Sequence, residues 1–246
     1  MKIPYSIRSY RAQSPNAAEQ SFQVVLEESD LWVTCLKSAP ADIAKQMLNH
    51  LSALRSTIKA WANLNPEFAT SLTPLPCNGN EPEIIQQMLQ AAQLMQVGPM
   101  AAVAGTVAEA ICRKFLPYTS EIIVENGGDV FICSAKDRNI GLLPDPATKS
   151  YIGVKLKKEL FPVSVCSSSS TIGHSLSFGK GELVTVIAKS AAIADAAATS
   201  YCNKLQNKND IELIINLAQK DPHILGVFAQ IGDQIGLWGN IELIVL

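Results

Sequence analysis

Leu183-Val-Thr-Val-Ile-Ala188 and, after two residues, Ala191-Ala-Ile-Ala-Asp195-Ala-Ala-Ala-Thr199 decide how this chain is read. The first run is β-branched and apolar, which makes it a strand. The second, carried on to Leu205, is a helix of small residues. Such a helix has little bulk of its own, so neighbours approach it closely. Asp195 and Thr199 are four residues apart and project from one face, one turn from each other. Two readings stand. A carboxylate beside a hydroxyl is the hard-oxygen chemistry of Mg²⁺ when it also takes ligand phosphates and waters, and the alanines clear space for a cofactor. The plainer reading is an Ala-rich helix packed on a sheet, with Asp195 favoured near its N-terminus by the macrodipole.

Working outward, Phe22–Leu26 and Leu31–Leu36 read as strands around a turn at Glu28–Asp30. Ala41–Asn63 is helical, with Ile43, Met47, Leu51, Leu54 and Ile58 at three- and four-residue spacing. Asn65–Glu81 is rich in Pro, Asn and Thr and reads as a loop. Glu83–Gln96 and Met100–Phe115 are helices. Glu121–Glu125, Val130–Cys133, Tyr151–Leu156, Val163–Cys166 and Glu182–Ala188 are strands, with Ser167–Lys180 a Ser/Gly-rich loop. Ile211–Gln219 is a helix. Ile224–Gln230 and Ile235–Leu246 are strands around turns at Gly232-Asp233 and Gly239-Asn240. Strands come in pairs with helices between them and without a βαβ rhythm. The expectation is an α+β protein of mixed or antiparallel sheets packed with helices. No repeat or long linker divides it, so residues 1–246 are expected to form one domain.

The 246 residues carry 20 basic and 22 acidic side chains, a net charge of −2. That balance argues against a nucleic-acid or anionic-membrane binder. An apolar content of 48% with 17% charged residues argues against disorder. Met1–Tyr10 has no apolar core and does not read as a signal peptide. The uncharged run Ile84–Ala108 is long enough to span a bilayer, but its five glutamines and Gly98-Pro99 make it a buried helix instead. The six cysteines are scattered with no C-x-x-C pair, so free thiols in a reducing cytoplasm are expected. Three histidines without clustered Cys/His ligands argue against structural zinc.

Two further constellations lie upstream. Asn126-Gly127-Gly128-Asp129 reads as a hairpin turn, and equally as a place where a ligand approaches bare backbone and its N–H groups. It is not a dinucleotide fingerprint, since no G-x-G-x-x-G opens a helix. Cys166-Ser-Ser-Ser-Ser-Thr171-Ile-Gly-His-Ser175 offers many short donors and acceptors. Ser169, Ser170, Thr171, Gly173 and Ser175 suit a phosphate or nucleotide sugar, and His174 suits an acid or base. The plainer reading is a polar loop. No G-x-S-x-G elbow supports a hydrolase, and Cys166 reads as a buried thiol.

Thr185-Val-Ile-Ala188 with Ala194-Asp-Ala-Ala-Ala-Thr199 resembles the C-terminal signature of the ApbE superfamily, flavin transferases that attach FMN from FAD to a protein threonine. Asn126-Gly-Gly-Asp129 resembles the family's double-glycine turn. Gly98-Pro-Met-Ala-Ala-Val-Ala-Gly105 sits where the family has a glycine-containing helix start beside the cofactor. With Ser168-Ser-Ser-Thr-Ile-Gly-His-Ser-Leu-Ser-Phe-Gly179, these resemble an ApbE-like branch of archaea and anaerobic bacteria, over about residues 5–246.

The resemblance implies an ApbE-like, T-fold-related architecture and a flavin or nucleotide pocket. It implies an enzyme acting on FAD, with Asp195 and Thr199 holding Mg²⁺ and Asp195 catalytic; His174 joins it as a catalytic candidate on its own acid–base chemistry, without a counterpart role from the family. Gly98, Gly127, Gly128, Asp129, Ser169, Ser170, Thr171, Gly173 and Ser175 would contact the cofactor. A protein acceptor and a homodimer are the implied partners. The chain departs from the family at one place: Gly173-His-Ser-Leu-Ser-Phe-Gly179 stands where transferases carry H-x-x-D-P-x-T-G. That departure supports the alternative of a non-catalytic binding or accessory protein on the same fold, a branch linked to sulfur assimilation in anaerobes.

Overall fold

The computed structural model describes residues 17–142, 152–170, 179, 181–239 and 241–245. Strands β1 (Glu19–Leu26) and β2 (Ser29–Leu36) form a hairpin, followed by α1 (Ile43–Leu64), α2 (Pro66–Thr70), α3 (Glu83–Met95) and α4 (Val103–Phe115). Then come β3 (Ile122–Asn126), β4 (Asp129–Cys133), β5 (Arg138–Leu142), β6 (Ile152–Leu156), β7 (Val163–Ser168) and β8 (Leu183–Ala188). The chain continues through α5 (Ala191–Lys204), α6 (Asp210–Lys220), β9 (Ile224–Ile231), β10 (Gln234–Gly239) and β11 (Glu242–Val245).

Eight strands form one sheet in the order β1-β2-β3-β4-β7-β8-β9-β10, and β11-β6-β5 form a second. Every pairing is antiparallel. The large sheet is buried on both faces at its centre. Ile122, Val124, Phe131, Cys133, Cys166, Val184, Val186, Val227 and Ala229 face the helices. The alternate residues Val130, Ile132, Val163, Val165, Ile187 and Phe228 face the small sheet, where Val154 and Leu156 meet them. This two-sided cover explains why β4 and β8 are buried along their whole length and carry only one polar residue each, Asp129 and Thr185. Thr185 is buried with its hydroxyl 2.8 Å from that of Ser167.

Helix α5 lies between β7 and β8 on one side and α3 and α4 on the other, which accounts for its alanines. Ion pairs tie the periphery. Arg55 of α1 holds Glu27 and Glu28 of the first turn, and Arg138 joins Glu19 to Glu121.

The structure corrects four local expectations. Pro66–Thr70 is a helical turn inside the expected loop, opened by Pro66 and anchored by buried Phe68. Pro99–Ala102 is a 3₁₀ turn, so α4 begins at Val103. Ser167 and Ser168 belong to β7 and not to a loop. Arg138–Leu142 is a strand that the sequence hid, because only one of its five residues is buried. Among the described residues no single helix is long and apolar enough to cross a membrane. Helix α3 and the segment Pro99–Tyr118 meet at 106°, and their apolar faces lie in the core. All six cysteines are free thiols.

Candidate functional site

A cavity of about 650 Å³ opens on the helical face of the large sheet. One wall is Ala69–Leu72, the end of α2 and the residues after it. A second is Val97, Gly98, Met100 and Ala101. Val103 and Ala104 add the start of α4. The polar side is Asp195, Thr199 and Asn203, one stripe of α5, with Asp129 from the first position of β4. Gly98 is required for the two walls to meet, since a Cβ there would lie 1.8 Å from the Ser71 carbonyl oxygen.

The stripe is placed by how α4 and α5 pack. They meet near their starts and satisfy each other's N-termini. The Gly105 N–H donates to Asp195 Oδ2 at 2.8 Å, and Ala104 donates a second backbone bond. In return the Ala191 N–H donates to Glu109 Oε2 at 2.7 Å. Each carboxylate serves donors that a helix start leaves without intrahelical partners. The axes come this close because residue 105 is glycine. A Cβ there would stand 2.5 Å from the Ala191 carbonyl oxygen and 2.9 Å from Asp195 Cβ.

Burial pushes the Asp195 carboxyl well above the usual carboxylate range, and the charge of Asp129 pushes it further, against the pull of the two N–H groups. Asp129 is itself buried and accepts from the Ser167 N–H at 3.2 Å. Cys166 lies beneath the pair. Burial, then the charges of Asp129 and Asp195, hold its thiol protonated, so it is no nucleophile in this state. No Lys or Arg is among the described lining residues. Two carboxylates therefore face one cavity.

Of the residues singled out in the sequence, the cavity gathers Asp195, Thr199, Asp129 and Gly98. Gly127 and Gly128 form the two-residue hairpin between β3 and β4, at φ 73° and 109°, with open space beside both α-carbons. They are outside the described lining, and the Gly128 N–H donates to Glu125 Oε1 at 2.8 Å. Ser169 and Ser170 are also outside it; the Ser170 hydroxyl donates to the Gly181 carbonyl at 2.7 Å, closing the base of the loop. Thr171, Gly173, His174 and Ser175 fall outside the described residues. The sequence reading missed Asn203 and the Ala69–Leu72 wall. The spacing 195, 199, 203 was a signal for Asn203; the wall had none.

A family model described as "AbpE bacteria" matches residues 11–220. The chain belongs to this AbpE family. Among its AbpE relatives, a UPF0280 protein of Methanocaldococcus jannaschii is 41% identical over 197 residues, covering 78% of this chain and 80% of that one. A UPF0280 protein of Methanococcus maripaludis is 36% identical over 230 residues, covering 91% and 92%. The AbpE chain has the fold of solved ApbE proteins. It matches the flavinyl transferase ApbE of Pseudomonas stutzeri with a TM-score of 0.55 at 13% identity, covering 89% and 93% of the two chains. The ApbE protein of Thermotoga maritima gives 0.55 at 15% identity, covering 91% and 96%. The AbpE chain thus has an ApbE-like fold, an α+β architecture of antiparallel sheets and helices.

Proposed function

We propose that this protein is a Mg²⁺-dependent flavin transferase-like enzyme that takes FAD in the cavity beside α5. The observation that carries the reading is the meeting of two buried carboxylates, Asp129 and Asp195, with the Thr199 hydroxyl at one cavity. The donor set fits Mg²⁺, which binds through one or two carboxylates and completes its shell with substrate phosphates and waters. Among the described residues no group of three or more His, Cys, Asp or Glu forms a cage for a metal on its own, so ligand oxygens would complete the site. When bound, Mg²⁺ supplies charge neutralisation for the pyrophosphate.

The chain's own residues do the rest. The N–H groups of Ala104 and Gly105 orient the Asp195 carboxylate. Thr199 and Asn203 extend the polar stripe. Leu72, Val97, Met100 and Val103 offer apolar cover to a ring system and shut water from it. The deciding experiment is native mass spectrometry with FAD, with and without Mg²⁺, followed by assay for AMP release and flavin on a threonine-bearing acceptor. The expected result is Mg²⁺-dependent retention of FAD, lost in Asp195→Ala. Equal binding and turnover by that variant would end the reading.

A binding-only role has one observation in its favour: Asp195 is already engaged as the N-terminal cap of α4. It predicts FAD retention without turnover, and transfer of FMN to any acceptor would exclude it.

A further inference from the structure

Cys112 and Cys133 are not used by the site above. Cys112 lies on the buried face of α4, and Cys133 is the last residue of β4. Their sulfurs are 3.5 Å apart, and the Cys112 thiol is also 3.7 Å from the Ile122 carbonyl oxygen, opposite Cys133 in the ladder. This is van der Waals contact between two thiols from elements that meet only through the fold. Cys133 stands where β4 leaves the core, two residues before exposed Ala135. The hydrogen bond from the Cys112 thiol lowers the Cys133 pKa against its burial, and the charge of Arg113, whose guanidinium sits 5.1 Å above the Phe131 ring, adds to this against that of Glu109. Cys166, by contrast, faces two carboxylates and has no second thiol beside it among the contacts described.

We propose that Cys112 and Cys133 are a peroxide-sensitive dithiol that closes a disulfide between α4 and β4. The Cys133 thiolate attacks one oxygen of a small peroxide. The O–O bond breaks, Cys133 becomes a sulfenic acid, and hydroxide leaves to be protonated as water. The Cys112 sulfur then attacks the Cys133 sulfur. The S–O bond breaks, and the departing hydroxide leaves as water with the Cys112 proton. Two thiols and one hydrogen peroxide give one disulfide and two waters. The sulfurs must close from 3.5 Å to about 2.05 Å, a short move for neighbours already in contact. The bond would tie the helix whose N–H groups hold Asp195 to the strand that begins with Asp129.

The test is peptide mapping of the reduced full chain after graded hydrogen peroxide, with remaining thiols alkylated under denaturing conditions. The expected product, in a digest made without reductant, is a peptide pair joined through Cys112 and Cys133, two hydrogens lighter and separated by dithiothreitol. In Cys112→Ala, oxidation at Cys133 should stop at a dimedone-reactive sulfenic acid. Two outcomes overturn the proposal: both cysteines staying alkylatable at a dose that oxidises an unstructured cysteine peptide, or Cys133 ending as sulfinic acid with Cys112 still alkylatable. Wild-type mapping decides this even if the variant does not fold.

Discussion

Asp195 faces a second carboxylate, Asp129, while two N–H groups of α4 hold it in place. Burial and that neighbour raise its pKa, so the fold prefers its protonated form. Between the ordinary carboxylate range and the raised value, the folded state binds more protons than the unfolded one. Stability of the cation-free protein therefore falls as pH rises through the raised pKa. Asp195→Asn keeps an acceptor for Gly105 and carries no charge. In calorimetry without divalent cations it should melt higher than wild type at neutral pH and show a flatter pH dependence. Under the proposed function, added Mg²⁺ and FAD should raise the wild-type midpoint and leave the variant unmoved. Thr199→Val removes one hydroxyl at nearly constant volume. It should weaken Mg²⁺-dependent FAD binding by about 1 kcal/mol, close to fivefold, as read by titration calorimetry.

At the scale of elements, α4 and α5 act as a unit. Each supplies a carboxylate to the other's N-terminus, and the bare α-carbon of Gly105 sets their separation. Gly105→Ala places a methyl against a backbone carbonyl, which cannot rotate away. The expected cost is about 1–3 kcal/mol in urea unfolding, the usual range for overpacking. Because the helices must part at the residue that donates to Asp195, the same variant should also lose Mg²⁺-dependent FAD retention. Loss of stability with unchanged retention would separate the helix packing from the site.

Across the whole molecule, the large sheet separates two jobs: its helical face carries the cavity, and its other face is covered by β5, β6 and β11. Leu156→Ala should cost about 2–5 kcal/mol in urea unfolding, as large-to-small changes in a core do, with FAD affinity close to wild type. Much of this architecture was legible along the chain. Apolar spacing located α1 and α3, the β-branched runs located β2, β3 and β8, and Asn126-Gly-Gly-Asp129 marked a hairpin. Local backbone preference and burial leave their pattern in consecutive residues, so the sequence alone determined these elements, the α+β class and the Asp195–Thr199 stripe. It did not determine that β5 and β6 leave the large sheet to pair with β11, since an alternating strand fits either sheet. Nor did it show that Asp195 caps α4, that Asp129 comes to face it, or that Cys112 meets Cys133. Gly105 and Asp195 are 90 residues apart, and no local spacing encodes their contact. Only the packing of helices against a sheet covered on both sides brings such groups together.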